Sequence, residues 1–96
     1  MEIIDVTPKT EADWERIYLE AFPEYEQRPI ADLVAMSDQQ SGTRMQVVTD
    51  EDQVIGVLYL CEIGVDKAFV LYFAMDAKVQ SKGYGSRALA ILKERY

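Results

Sequence analysis

The hydrophobic period of this chain switches from about 3.6 residues to 2 at Thr43, and that change limits the fold more than any other feature. Before it, from Trp14 to Val34, apolar residues recur at helical spacing. After it, "TRMQVVT", "VIGVLYLCEI" and "AFVLYFAM" read as strands, separated only by "DEDQ" and by the turn from Gly64 to Lys67. A parallel crossover needs a dozen or more residues, so links this short impose antiparallel neighbours. Thr43 to Met75 is therefore expected to form a three-stranded antiparallel meander. The third run is apolar at every position from Ala68 to Met75, which predicts burial on both faces in the middle of a sheet.

The flanking segments complete the order. "EIIDV" is a short first strand ended by Thr7 and Pro8. In "TEADWERIYLEAF", Thr10 is the expected N-cap, with Asp13 three residues on, and Trp14, Ile17, Tyr18 and Ala21 share a face. Pro23 stops that helix, "PEYEQRP" is a connecting loop, and Pro29 starts a second helix with Ile30, Leu33 and Val34 inward, broken by Gly42. A last helix begins near Gly83 with Leu89, Leu92 and Tyr96 on one face. The layout is α+β, β-α-α-β-β-β-α, with helices packed on an antiparallel sheet in a single domain, residues 1–96.

Charge narrows the function. The net charge is −7, which disfavours nucleic acid and anionic membranes as partners. Yet residues 78–96 carry Lys78, Lys82, Arg87, Lys93 and Arg95 against Glu94 alone, +4 set against −11 in the remainder. A basic patch on an acidic body points to one specific anion. The absence of histidine removes imidazole bases and Ser-His or Cys-His triads, and no metal site is expected. The single Cys61 reads as a buried, unreactive thiol, and the lack of a signal-like N-terminus or a long apolar run makes a cytoplasmic protein the expectation.

The chemistry gathers in "FAMDAKVQSKGYGSRAL". A strand enters a loop, the loop ends in Gly83-Tyr84-Gly85, and a helix begins. Unbonded amides and the dipole at a helix start attract anions, and glycine lets a phosphate approach the backbone. Lys82 and Arg87 flank the site, and Ser86 offers a hydroxyl. A P-loop would need G-x-x-x-x-G-K-[ST], which is missing. A dinucleotide fingerprint would need a βαβ unit, which the meander excludes.

"Gln80-Ser81-Lys82-Gly83-Tyr84-Gly85" resembles the Gln/Arg-x-x-Gly-x-Gly/Ala signature of the GNAT superfamily of N-acetyltransferases, and "Phe73-Ala74-Met75-Asp76" resembles the end of that family's fourth strand. "Ala21-Phe22-Pro23…Glu26-Gln27-Arg28-Pro29" is similar to the loop between the first two helices of some bacterial members. The resemblance covers the whole chain and implies the first half of an acyl-CoA N-acyltransferase fold. It implies acetyl transfer from acetyl-CoA to a primary amine, either a small molecule or a peptide. Backbone groups of Phe73, Ala74 and Met75 would then hold the pantetheine arm as an added strand. Amides around Gln80, Ser81, Lys82, Gly83, Tyr84, Gly85 and Ser86 would cradle the coenzyme A pyrophosphate, with charge from Lys82 and Arg87.

The resemblance also implies a continuation past this helix that would supply the acid for the leaving thiolate. The expectation is therefore a truncated domain, or one completed by another copy through the apolar edge of strand 68–75. The alternative function is a coenzyme A-binding or oligomerising fragment without catalysis. Glu62 and Glu26 are the candidate bases, because strand 68–75, where many family members keep a glutamate, has no acid. Glu24, Tyr25 and Glu26 would suit a cationic acceptor such as a polyamine, a lysine or an aminosugar. Other features have plainer readings: Tyr59, Tyr72 and Trp14 as packing, Asp50, Glu51 and Asp52 as a solvated turn, and Lys93 and Arg95 as complements to the helix dipole.

Overall fold

A computed structural model of the chain describes residues 1–37 and 42–96. Four strands, β1 (Glu2–Asp5), β2 (Thr43–Asp50), β3 (Gln53–Glu62) and β4 (Ala68–Met75), form one antiparallel sheet in the order β1-β2-β3-β4. Helices α1 (Glu11–Ala21) and α2 (Ile30–Met36) cover one face, and α3 (Tyr84–Arg95) covers the other. Two 3-10 turns, Glu24–Glu26 and Ala77–Val79, lie in the links around α1 and β4. Among the described residues, no helix is long and apolar enough to cross a membrane.

The meander forms as its short links require. Glu51 and Asp52 both take positive φ, 52° and 65°, so the β2–β3 link is the tight hairpin turn whose twist matches the strands. Strand alternation then sorts the core into two layers. Met45, Val47, Val57, Tyr59 and Tyr72 meet Trp14, Ile17 and Tyr18 of α1 and Leu33 of α2. Ile3, Val48, Ile55, Leu58 and Leu60 meet Ala88 and Leu92 of α3. The Trp14 indole N–H donates to Gln46 O at 3.0 Å, and the Tyr59 hydroxyl donates to Leu33 O at 2.7 Å. Both buried polar tips are thus satisfied by backbone carbonyls.

Several expectations change. Among the described residues, the uniformly apolar β4 pairs on one side alone, with β3, rather than lying in the middle of the sheet, and Phe69 is 61% exposed. A β-bulge places an extra residue, Leu71, opposite the Tyr59/Leu60 step, so side chains on either side of it change register against β3. Thr10 precedes α1 without capping it, because its hydroxyl accepts the Thr7 N–H at 2.9 Å. Ala21, Val34 and Leu89 face solvent, and Ala88 takes the inward place expected for Leu89. Each of these residues stands one helical step outside the stripe that its sheet face can cover. Cys61 is half buried, with its sulfur 4.0 Å from the Thr43 hydroxyl.

Tyr59 offers a direct test of the seam between α2 and the sheet. Tyr59→Phe keeps the ring but removes its hydrogen bond to the Leu33 carbonyl, which retains only the Ser37 N–H at 3.1 Å. Urea unfolding should show a loss of about 0.5–1.5 kcal/mol with an unchanged m-value.

Candidate functional site

β4, the loop after it and the start of α3 form one continuous surface. The Asp76 N–H donates to Ile55 O at 2.8 Å, so its alternates Ala74 and Tyr72 also direct their backbone groups toward β3. Phe73 and Met75 therefore direct theirs outward. Among the described residues, their N–H groups have no strand to pair with, and the Met75 carbonyl accepts only the Gln80 side-chain amide at 3.4 Å. Of the three expected backbone contacts, Ala74 is thus turned toward β3, while Phe73 and Met75 line the open edge.

Beyond Asp76 the chain makes its 3-10 turn and reaches Gly83, the residue before α3, at φ +80°. Ser81 also takes positive φ, 70°. The first backbone bond into α3 runs from Arg87 N–H to Gly83 O at 3.2 Å. Among the described residues, the amides of Tyr84, Gly85 and Ser86 therefore have no backbone acceptor. A Cβ at Gly83 would meet nothing within 4 Å, and one at Gly85 would make only an ordinary 3.5 Å contact with Met75. Backbone conformation thus explains Gly83, whereas neither conformation nor internal crowding explains Gly85.

Gln80, Ser81, Lys82, Ser86 and Arg87 are all exposed around this loop, and the Arg87 guanidinium lies 5.5 Å from the Tyr84 ring centroid. Among the described residues, none of Lys78, Lys82 and Arg87 makes an ion pair. Two exposed cations without an ion pair, Lys82 and Arg87, next in sequence to three amides that lack a backbone acceptor suit a polyanion the size of a pyrophosphate. Arg95, read as a dipole complement, also donates to Ile3 O at 2.8 Å and ties α3 to β1.

The two candidate bases lie on opposite faces of the sheet. Glu26 closes the 3-10 turn after α1, and its carbonyl accepts the Tyr72 hydroxyl at 2.9 Å. The Tyr18 hydroxyl accepts the Arg28 N–H at 2.6 Å and donates to Arg28 O at 3.3 Å. Burial, reinforced by the hydrogen bond to Tyr72, pushes the Tyr18 phenol up to about 12. Two tyrosines thus pin the loop over β4, where Glu26, Tyr25, Arg28, Tyr72 and the bulged Leu71 line a groove of about 500 Å³. Glu62 instead lies on the α3 face at the far end of β3. Its carboxylate accepts Arg44 Nε and the Tyr96 hydroxyl, the latter at 2.8 Å.

Sequence reading missed Leu71, Arg44, Asp76 and Arg16. Only Asp76 left a local trace, an Asp heading a short turn as N-cap. The other three act through partners distant in sequence.

The hydrogen bonds from Arg44 and then Tyr96 hold the Glu62 carboxyl below its ordinary value, against a smaller opposing effect of burial. A depressed folded pKa stabilises fully above the unfolded value of 4.5 and is lost as pH falls through the lower folded value. The urea midpoint should therefore drop on acidification below about pH 4.5, and Glu62→Gln should fall less steeply than wild type over the same range.

Comparison with known proteins identifies the family and the fold. The sequence profile described as the acetyltransferase (GNAT) family matches residues 9–96. A solved structure from Bacteroides thetaiotaomicron, assigned to the GNAT acetyltransferase family, superposes with a TM-score of 0.86 at 24% identity. The match covers 98% of this chain and 55% of that one, so the chain spans about half the length of that structure. No curated protein matches significantly. With that profile spanning all but the first eight residues, the chain belongs to the GNAT acetyltransferase family.

Proposed function

We propose that this chain carries the coenzyme-binding half of an acetyl-CoA-dependent N-acetyltransferase acting on a primary amine. One observation carries the reading: among the described residues, Lys82 and Arg87, which flank the start of α3 in sequence, make no ion pair, and the amides of Tyr84, Gly85 and Ser86 have no backbone acceptor, directly beyond the outward backbone of Phe73 and Met75. That surface offers strand-like hydrogen bonds at one end and a cationic cradle at the other, as a pantetheine arm joined to a pyrophosphate requires.

Bound acetyl-CoA would supply the activated acetyl thioester. Phe73 and Met75 would hold the amide-bearing arm along the β4 edge. The amides at Gly83 to Ser86 would hold the diphosphate, with Lys82 and Arg87 balancing its charge. The bulge at Leu71 interrupts the ladder, and it lies on the groove that holds Glu26. Glu26 is exposed there, so its carboxylate is placed to attract a cationic acceptor and to take its proton, directly or through water. Glu62, committed to Arg44 and Tyr96 on the other face, is the poorer base.

The uncovered edge of β4, with Phe69, Val70 and Leu71 exposed, favours a second reading. In it the chain binds coenzyme A, or pairs with another copy through strand 68–75, without catalysing transfer. Turnover of an amine acceptor separates the two.

Calorimetric titration with acetyl-CoA tests the common part. Wild type should bind in the micromolar range. Lys82→Ala and Arg87→Ala should each weaken binding by about 3- to 10-fold, less so at high salt. Gly83→Asp, which adds strain at φ +80° and a negative charge, should abolish it. No heat from a folded wild-type chain would defeat the coenzyme reading.

A further inference from the structure

We infer that Asp76, held by Arg16 of α1, is a positioning residue that sets the pyrophosphate loop at a defined place relative to the β4 edge. The inference rests on the coenzyme A reading for its function, but its structural basis is independent of it. Asp76 is 5% exposed, a rare situation for an aspartate, and it stands at the junction between the two stretches that a coenzyme would have to touch together.

Its bonds run in four directions. Its N–H donates to Ile55 O at 2.8 Å, which closes the β3–β4 ladder. Its carbonyl accepts the Val79 N–H at 3.0 Å, and Oδ1 accepts the Lys78 N–H at 3.1 Å, which together form the turn. Oδ2 accepts from Arg16 at 3.1 Å, across sixty residues of sequence. Strand end, turn and α1 therefore meet at one residue, its backbone holding the strand end and its carboxylate joining the turn to α1. The Gln80 amide, reaching back to Met75 O at 3.4 Å, spans the same turn from its other side.

The ion pair has a second consequence. A buried carboxylate close before an anion-binding loop would repel the ligand if it were unpaired. Arg16 supplies a compensating charge from the helix behind the sheet, and among the described residues Lys82 and Arg87 stay exposed without an ion pair. Arg16 also lies 3.9 Å from Asp13 and 3.7 Å from Glu20, which fix its guanidinium along α1. The order of the cradle is thereby coupled to the seating of α1 on the sheet.

A ligand that bridges both stretches gains from their fixed spacing, because neither has to be ordered on binding. Loosening the junction should weaken ligands that touch both stretches while leaving the core intact. Asn at 76 keeps an acceptor for Lys78 but loses the charge, and Ala loses both.

The test measures backbone ¹⁵N order parameters in the unliganded chain, together with affinity for coenzyme A. Asp76→Ala should lower order parameters across residues 77–86 while Val47 and Val57 keep theirs, and should weaken coenzyme A binding by about tenfold. Asp76→Asn should recover part of both effects, and Arg16→Met should resemble Asp76→Ala. Unchanged order in the loop, or a uniform loss across the whole sheet, would overturn the inference. So would a loosened loop that binds coenzyme A as wild type does. Should Asp76→Ala fail to fold, Asp76→Asn and Arg16→Met carry the comparison. If the folded wild type does not bind coenzyme A, the coenzyme reading fails, and the order parameters alone decide the structural claim.

Discussion

The rest of this structure depends on the aromatic wedge between α1 and the sheet. Trp14 stacks on Tyr18 at 4.9 Å between centroids, and Tyr18 meets Tyr72 edge-on at the same separation. Phe22 and Tyr59 extend the cluster on either side. These rings fill the space beneath β3 and β4, and each polar tip ends on a backbone group. The wedge therefore buries a large apolar area and fixes orientation at once, since misplacing a ring would strand a buried hydrogen-bonding group.

That wedge also governs the acceptor side of the site. Tyr18 and Tyr72 leave the core with their hydroxyls on Arg28 and Glu26, so the loop joining α1 to α2 is held from below. A loop with three acidic or aromatic residues in succession would otherwise have little to order it. Core packing and the floor of the groove are the same side chains, and a change made for stability at Tyr72 alters the groove as well.

The opposite end of β4 is built on electrostatics and backbone geometry. The loop before α3 has one apolar anchor, Val79, packed against the α3-side core. It is set by a left-handed Gly83, by a short turn headed by Asp76, and by the ion pair from Asp76 to Arg16. The positive charge of the last nineteen residues is thereby sorted. Arg95 is spent on β1, while among the described residues Lys82 and Arg87 make no ion pair near the helix start.

Local pattern alone determined the element order, the hairpins and the glycine loop, because helix and strand periods and positive-φ glycines act within a few residues. It also located the basic patch, since charge is countable without coordinates. It misjudged β4, because an apolar run reports the wish to be buried and not which neighbour does the burying; here one edge of the strand is left open. It likewise could not see that Glu62 is taken by Arg44 and Tyr96, or that Asp76 reaches Arg16. Those pairings join residues 18, 34 and 60 positions apart, and only the packing of helices on a sheet decides which side chains meet over such distances.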